Sequence, residues 1–302
     1  MPPSNPPPSE RELVGLIGLG LVGTALAERL LTGGFDVLGF DISEARVAAL
    51  RELGVRIAAR TEEVAIHCRR IFLSLPESCV ADSVIGEMGR HLRAGQIILD
   101  TTTGDPACAV GFEKRLAALG VSYLDATISG SSAQVRQGQA VFLVGASDKA
   151  FAECGDLFRT VAGVVLHTGV CGSGSKMKLV TNLVLGLNRA ALAEGLVFAR
   201  AFGMDPAQAL TVLRASMAYS RVMDAKGEKM VTGDFEPQAK LSQHLKDVRL
   251  MLAAAKQANT GLPLTETYRQ LLELAERLGL GQQDNSAILR AIEAQRPPED
   301  AP

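Results

Sequence analysis

The sequence predicts an α/β chain in two parts, a doubly wound, mostly parallel sheet followed by an all-α region. Three observations carry this. The apolar run Leu13–Ile17 feeds directly into a glycine-punctuated turn and a helix-period segment. Up to about residue 167, strand-like runs alternate with helical ones of the length that βαβ units need. After Gly172 strand signals vanish and helical spacing continues to the end.

The first turn is the most informative stretch. Gly18, Gly20 and Gly23 have G-x-G-x-x-G spacing, with Leu19, Leu21 and Val22 between them. Gly18 would permit the tight strand-to-helix turn. Gly20 would let the backbone approach a pyrophosphate, and Gly23 would let the helix pack closely on the strand. The free N–H groups and positive dipole end of that helix would hold the phosphates. A second strand over 35–40 ends at Asp41, 23 positions after Gly18. A carboxylate there can bond an adenosine ribose, which makes this a Rossmann dinucleotide site. Asp41 would bond the 2′-hydroxyl and repel a 2′-phosphate, so NAD is expected and NADP is less favoured. Arg46, one helical turn on, is the residue that could still reach a phosphate.

Further strands are expected at 69–75, 96–100, 122–125, 140–145 and 164–167, with helices at 44–53, 80–92 and 106–119 between them. One long helix is expected over 176–202, rich in Ala and Leu, and others over 206–218, 220–232, 239–259, 263–279 and 283–294. The composition shift at 169–172 divides the chain into a Pro-rich tail (1–11), a dinucleotide-binding domain (12–170), a helical substrate and oligomerisation domain (171–295) and a second tail (296–302).

The chain has 302 residues, 47% hydrophobic and 21% charged, with a net charge of −2. That is long enough for two domains with sizeable cores. The charge balance gives no electrostatic case for nucleic acid or a membrane surface. No secretory signal is expected from the N-terminal composition, and no spanning helix is expected because no run of about 18 apolar residues occurs. Five scattered cysteines without a C-x-x-C pair fit free thiols in a cytoplasmic protein, and four dispersed histidines suggest no metal site.

Lys178 and Asn182 lie four apart on a predicted helix and therefore share a face; Gly174, one turn earlier, would leave that face open to a ligand. A desolvated lysine suits proton transfer to or from a hydroxyl, and Asn182 can orient a hydroxyl or carboxylate without adding charge. Ser129, Gly130 and Ser131 offer small side chains and backbone N–H donors suited to a carboxylate, implying a small carboxylate-bearing substrate. The helix over 176–202 is apolar over much of its circumference and should be buried on most sides, which calls for a homo-oligomer.

In a series of ordered motifs between Leu13 and about residue 294 the chain resembles the β-hydroxyacid dehydrogenases. Besides the glycine loop and Asp41 these are Leu75-Pro76, the run Asp100 to Pro106, the run Asp125 to Gly138, the run Gly172 to Asn182, and Lys246-Asp247. The resemblance implies hydride transfer between NAD(H) and a small β-hydroxy acid or semialdehyde, with Lys178 as general acid/base. It implies that Leu75, Pro76, Thr103 and Lys246 contact the cofactor, that Thr181 joins Asn182 at the substrate, and that the protein is a homodimer or homotetramer. Thr127, Ser131, Thr181, Ala239 and Gln243 depart from the family pattern on the substrate side. His244, two before Lys246, is expected at the surface rather than lining the pocket. The alternatives are an imine-reductase-like NADPH-dependent reductase, whose relatives usually lack the lysine, and a non-catalytic dinucleotide-binding protein. The similar 6-phosphogluconate dehydrogenases are considerably longer chains.

Overall fold

A computed structural model of the protein describes residues 11–295. The Pro-rich tail expected over 1–11 lies outside the described residues except for Arg11, and the tail over 296–302 lies wholly outside them. The chain divides into two compact units between Lys176 and Met177.

The first unit is built in the order β1 (Leu13–Ile17), α1 (Leu21–Thr32), β2 (Asp36–Phe40), α2 (Glu44–Glu52), β3 (Arg56–Ile57), α3 (Thr61–His67), β4 (Arg70–Leu73), α4 (Ser78–Met88), β5 (Ile97–Asp100) and α5 (Pro106–Ala117). It continues through β6 (Ser122–Ser129), α6 (Ser132–Arg136), β7 (Val141–Gly145), α7 (Asp148–Ala152), α8 (Gly155–Val161) and β8 (Val164–Gly169). The eight strands run in the order β3-β2-β1-β4-β5-β6-β7-β8. All neighbours are parallel except β6 and β7. The chain steps outward from β1 to β3, then restarts at β4 on the other side of β1, the crossover that marks a doubly wound sheet. Because side chains alternate along a strand, each central strand feeds two cores. Phe72, Ile97 and Leu99 pack on one face, while Ile71, Leu73 and Ile98 pack on the other. Burying such a side chain contributes roughly 1.5–3 kcal/mol, which makes the central strands the rigid frame for the turns at their ends.

Three details differ from the expected elements. β6 runs on to Ser129, so residues read as a loop from Asp125 onward are strand, held by antiparallel pairing of Asp125 to Ser129 with β7. The short elements β3, α3, α6, α7 and α8 were not anticipated, being too brief to show a period. The helix expected over 283–294 is a 3₁₀ turn (Asn285–Ala287) leading into a short α-helix, α14 (Ile288–Glu293).

α9 (Ser173–Ala201) begins in the last residues of the first unit and carries the chain into the second, which adds α10 (Pro206–Ala215), α11 (Arg221–Thr232), α12 (Leu241–Gln257), α13 (Pro263–Arg277) and α14. Leu179, Leu192 and Leu196 of α9 pack with Met223, Leu245, Met251 and Leu272 in one core. The buried pair Lys226–Asp284, at 2.8 Å, fixes the approach to α12. Asp284 also accepts from the N–H groups of Gln238 (3.0 Å) and Ala239 (3.2 Å). The expectation that α9 is buried on most sides is not met within one chain. Met177, Val180, Val184, Leu185 and Phe198 are exposed, because the shorter helices cover a single stripe of it.

Candidate functional site

In the first unit the candidate cofactor-binding residues begin at the turn after β1. Gly18 has φ +93°, and a Cβ there would lie 2.3 Å from the Ser74 carbonyl oxygen. A Cβ on Gly23 would lie 1.9 Å from the Gly18 carbonyl oxygen, so helix and turn can approach only without one. Gly20 behaves differently: a Cβ there would meet nothing within 4 Å, and no side chain caps the N-terminus of α1. Uncapped N–H groups beside open space fit the diphosphate of a dinucleotide. Leu21 is exposed at this turn, whereas Leu19 is buried and contributes its backbone. The Leu19 N–H donates to Asp41 Oδ2 at 2.7 Å and the Ser43 N–H to Asp41 Oδ1 at 2.8 Å. Asp41 thus locks the β1 turn to the end of β2. Arg46 reaches the same carboxylate, Nη1 to Oδ2 at 3.3 Å. A carboxylate offers about four acceptor positions, of which three are filled here, and the Asp41 side chain is only 4% exposed.

Next along the same sheet edge, the Leu75 N–H donates to Thr102 Oγ1 at 3.2 Å, and Thr101 Oγ1 donates to the Leu73 carbonyl at 2.8 Å. These bonds tie the segment leading to Pro76 to the segment leading to Thr103. Beneath them Asp100 is fully buried; it accepts from the Thr102 N–H at 2.9 Å and from the Tyr123 hydroxyl at 2.8 Å. Burial raises its pKa from 3.8 to about 6, against the pull of the Thr102 and Tyr123 bonds. Asp125, opposite Asp100 in register, accepts from the Ser175 N–H (2.7 Å) and hydroxyl (2.6 Å), placing a carboxylate at the start of α9. Burial raises Asp125 too, with the Ser175 bonds opposing.

On the substrate side, Ser131 takes a second role and the expectation for Gly174 is corrected. Ser131 caps α6: its hydroxyl accepts from the Gln134 N–H at 3.3 Å and its own N–H donates to Gln134 Oε1 at 2.9 Å. The cap takes up the Ser131 N–H, whereas the hydroxyl accepts there and keeps its own proton to donate, beside Ser129 and Gly130. Gly174 does not open a face to ligand, since a Cβ there would strike the Asp125 and Leu143 carbonyls at 2.5 and 2.6 Å. Its missing side chain lets α9 start against the strand ends.

In the second unit a further group of candidate residues lies on α9 and α12. Lys178 and Asn182 are both buried, whereas Lys176 is exposed. Across from them Asp247 of α12 accepts from Asn182 Nδ2 at 3.1 Å and pairs with Lys246 Nζ at 3.0 Å. Burial lowers the Lys178 pKa from 10.5 to about 8; Asp247 opposes the shift and Lys246 adds to it. Burial likewise raises Asp247, with Lys246 and Lys178 pulling it back. The result is an amine near its transition at ordinary pH beside an amide fixed by a carboxylate. Thr181 donates its hydroxyl to the Lys178 carbonyl at 3.0 Å, so that proton is spent within the helix. His244, expected at the surface, is only 6% exposed and packs against Tyr268. It occupies the inward face of α12, in step with Leu241, Leu245 and Val248. Asp247 was named only as the second half of a lysine-aspartate pair, and Asp100, Tyr123 and Ser175 were not read as site residues. The Asp125–Ser175 bond joins residues fifty positions apart, a pairing that no local pattern announces.

Residues 13–169 match the family described as the NAD binding domain of 6-phosphogluconate dehydrogenase. Residues 172–292 match the one described as NAD-binding of NADP-dependent 3-hydroxyisobutyrate dehydrogenase. The chain is 34% identical over 284 residues to 2-(hydroxymethyl)glutarate dehydrogenase of Eubacterium barkeri, covering 93% of this chain and 94% of that one. The chain belongs to the β-hydroxyacid dehydrogenase family. A second member, 2-hydroxy-3-oxopropionate reductase of Escherichia coli strain K12, is 30% identical, with 93% and 97% covered. The crystal structure of a 3-hydroxyisobutyrate dehydrogenase from Salmonella typhimurium superimposes with a TM-score of 0.86 at 26% identity, covering 92% of this chain and 99% of that one. The Rossmann unit and the helical unit are those of this family, and the protein is accordingly an NAD(P)-dependent oxidoreductase acting on hydroxyl groups.

Proposed function

We propose that the protein interconverts a small β-hydroxy acid and its semialdehyde, with NAD(H) preferred and Lys178 as the proton-transfer group. The observation that carries this reading is the buried Lys178 amine, brought to about 8 beside an Asn182 amide that Asp247 holds in place. Gly18, Gly20, Gly23 and the start of α1 would hold the diphosphate, Asp41 the adenosine ribose, and Leu75, Pro76, Thr103 and Lys246 the remainder of the dinucleotide. A bound nicotinamide would supply the hydride chemistry, taking hydride from the carbinol carbon in oxidation and giving it to the carbonyl carbon in reduction. Lys178, in its neutral form, takes the hydroxyl proton during oxidation and in its charged form returns it during reduction. Asn182 orients the hydroxyl or its carboxylate neighbour, and Ser129 and Gly130 offer donors to a carboxylate. Relatives named for 2-(hydroxymethyl)glutarate and 2-hydroxy-3-oxopropionate support small acids as the substrate class.

The preference for NAD rests on Asp41, a carboxylate where a 2′-phosphate would otherwise sit. Arg46 already bonds this carboxylate and moderates the repulsion. A homodimer or homotetramer is supported by the exposed apolar residues of α9, which a second copy would cover. The test is Lys178→Ala. Fluorescence titration with reduced cofactor should give a dissociation constant within about threefold of wild type, while kcat falls at least about 10²-fold. Near-normal kcat in this variant overturns the assignment.

A further inference from the structure

Arg189 and His244, both buried in the second unit, take no part in the chemistry above. Arg189 of α9 is 3% exposed, and no ion pair involves it among the described residues. Its Nη1 donates to the Tyr268 hydroxyl at 3.2 Å, while its Nε has no partner. His244 Nε2 is likewise without a partner, and its ring lies 5.6 Å from that of Tyr268. Gly186, between Asn182 and Arg189 on the helix, lets both rings pack against α9: a Cβ there would lie 2.8 Å from both His244 Nε2 and Tyr268 Cε1. Burial first, then the charges of Arg189 and Lys178, hold His244 neutral, so it adds no second cation. Lys226, whose charge Arg189 also feels, is committed to Asp284. Among the described residues, the interior of this unit therefore keeps a guanidinium with no carboxylate paired to it.

Lys178, Asn182, Gly186 and Arg189 recur at helical spacing and share one face of α9. Arg189 lies about 10 Å beyond Asn182 along the axis at about 1.5 Å per residue. Side chains on a helix lean toward its N-terminus, and the longer arginine side chain reaches back farther than that of asparagine. The interval left is shorter than the backbone rise and suits a small acid that carries a second anionic group at its far end.

We propose that Arg189, with Tyr268 and His244, forms a subsite for a second anionic oxygen group at the far end of the substrate, so that the protein selects dicarboxylic hydroxy acids and semialdehydes over monocarboxylic ones. This rests on the reading of Lys178 and Asn182 as the reacting end. A guanidinium offers five donors in a fork that fits a carboxylate, and a neutral imidazole N–H can add another.

The test compares two unreactive probes, glutarate and butyrate, by calorimetric titration of the full chain with oxidised cofactor present. Wild type should bind glutarate at least about tenfold more tightly than butyrate, equivalent to about 1.4 kcal/mol. In Arg189→Met that ratio should fall to within about threefold, with Arg189→Lys intermediate because it keeps the charge and loses the fork. Tyr268→Phe retains the guanidinium and serves as the second variant if Arg189→Met does not fold; it should lower the ratio by a smaller factor. Equal affinity of wild type for both probes overturns the subsite, as does an Arg189 variant that melts earlier yet keeps the wild-type ratio. An Arg189-dependent preference for glutarate in a protein that oxidises no hydroxy acid would uphold the subsite and sink the proposed reaction instead.

Discussion

Replacing Lys178 with methionine keeps the length of the side chain and removes the amine. Burial has pressed the pKa of that amine from 10.5 to about 8, with Lys246 assisting and Asp247 opposing. At about 1.4 kcal/mol per tenfold change, the folded state works against the protonated amine by about 3 kcal/mol. The folded-state pKa is the lower one, so at pH 7 the amine is protonated both folded and unfolded and the whole penalty is present. It fades as pH rises from about 8 to 10.5. Methionine carries no such penalty, and Asp247 still keeps Lys246 and Asn182 as partners. Lys178→Met should therefore be more stable than wild type at pH 7, by up to about 3 kcal/mol, with a smaller margin near pH 9.5. The same variant should lose turnover by at least about 10²-fold. Guanidinium denaturation of both proteins at the two pH values, beside steady-state rates, reads both effects. A variant less stable than wild type at pH 7, with a difference independent of pH, would refute the reasoning, because the amine would then be a well-compensated partner of Asp247.

In wild type, hydroxyl oxidation should rise with pH through about 8, as Lys178 becomes neutral, and the reverse reduction should decline over the same range; profiles centred elsewhere would assign the proton to another group. Asp41→Asn should narrow the NAD preference, expected at about 5- to 150-fold in kcat/KM for a repulsion of roughly 1–3 kcal/mol, to within a few fold; a wild type that prefers NADP sinks this reading. Gly23→Ala should abolish cofactor binding or folding, since its Cβ would sit 1.9 Å from the Gly18 carbonyl oxygen, and normal cofactor affinity in a folded variant would contradict the close-approach argument. Light scattering should give a multiple of the 31.9 kDa chain, and Val184→Glu with Phe198→Glu should shift it toward one copy; a wild-type monomer at micromolar concentration would exclude assembly through α9.

The glycine turn, Asp41 and the alternation of strands and helices were legible because each is local. A strand feeding a tight turn must place its glycines at fixed offsets, and buried parallel strands read as apolar runs. Lys178 and Asn182 were legible for the same reason, being one turn apart on a single helix. What escaped is what folding assembles from afar. The Ser131 cap depends on Gln134 returning its side chain, while an isolated Ser-Gly-Ser-Ser reads as a free loop. Gly174 reads as an opening until the Asp125 and Leu143 carbonyls are seen against it. His244 reads as a surface residue because its neighbours Gln243 and Lys246 are polar, yet it falls on the buried stripe of α12 and meets Tyr268 from another helix.

The most direct test of the central claim is a substrate panel with NAD and with NADP, following absorbance of the reduced cofactor. The panel should include mono- and dicarboxylic β-hydroxy acids, their semialdehydes and cyclic imines. The account predicts reversible cofactor reduction with one or more β-hydroxy acids, faster with NAD, and its loss in Lys178→Ala. Reduction of imines by NADPH that is indifferent to Lys178, with no turnover of any hydroxy acid, would contradict it.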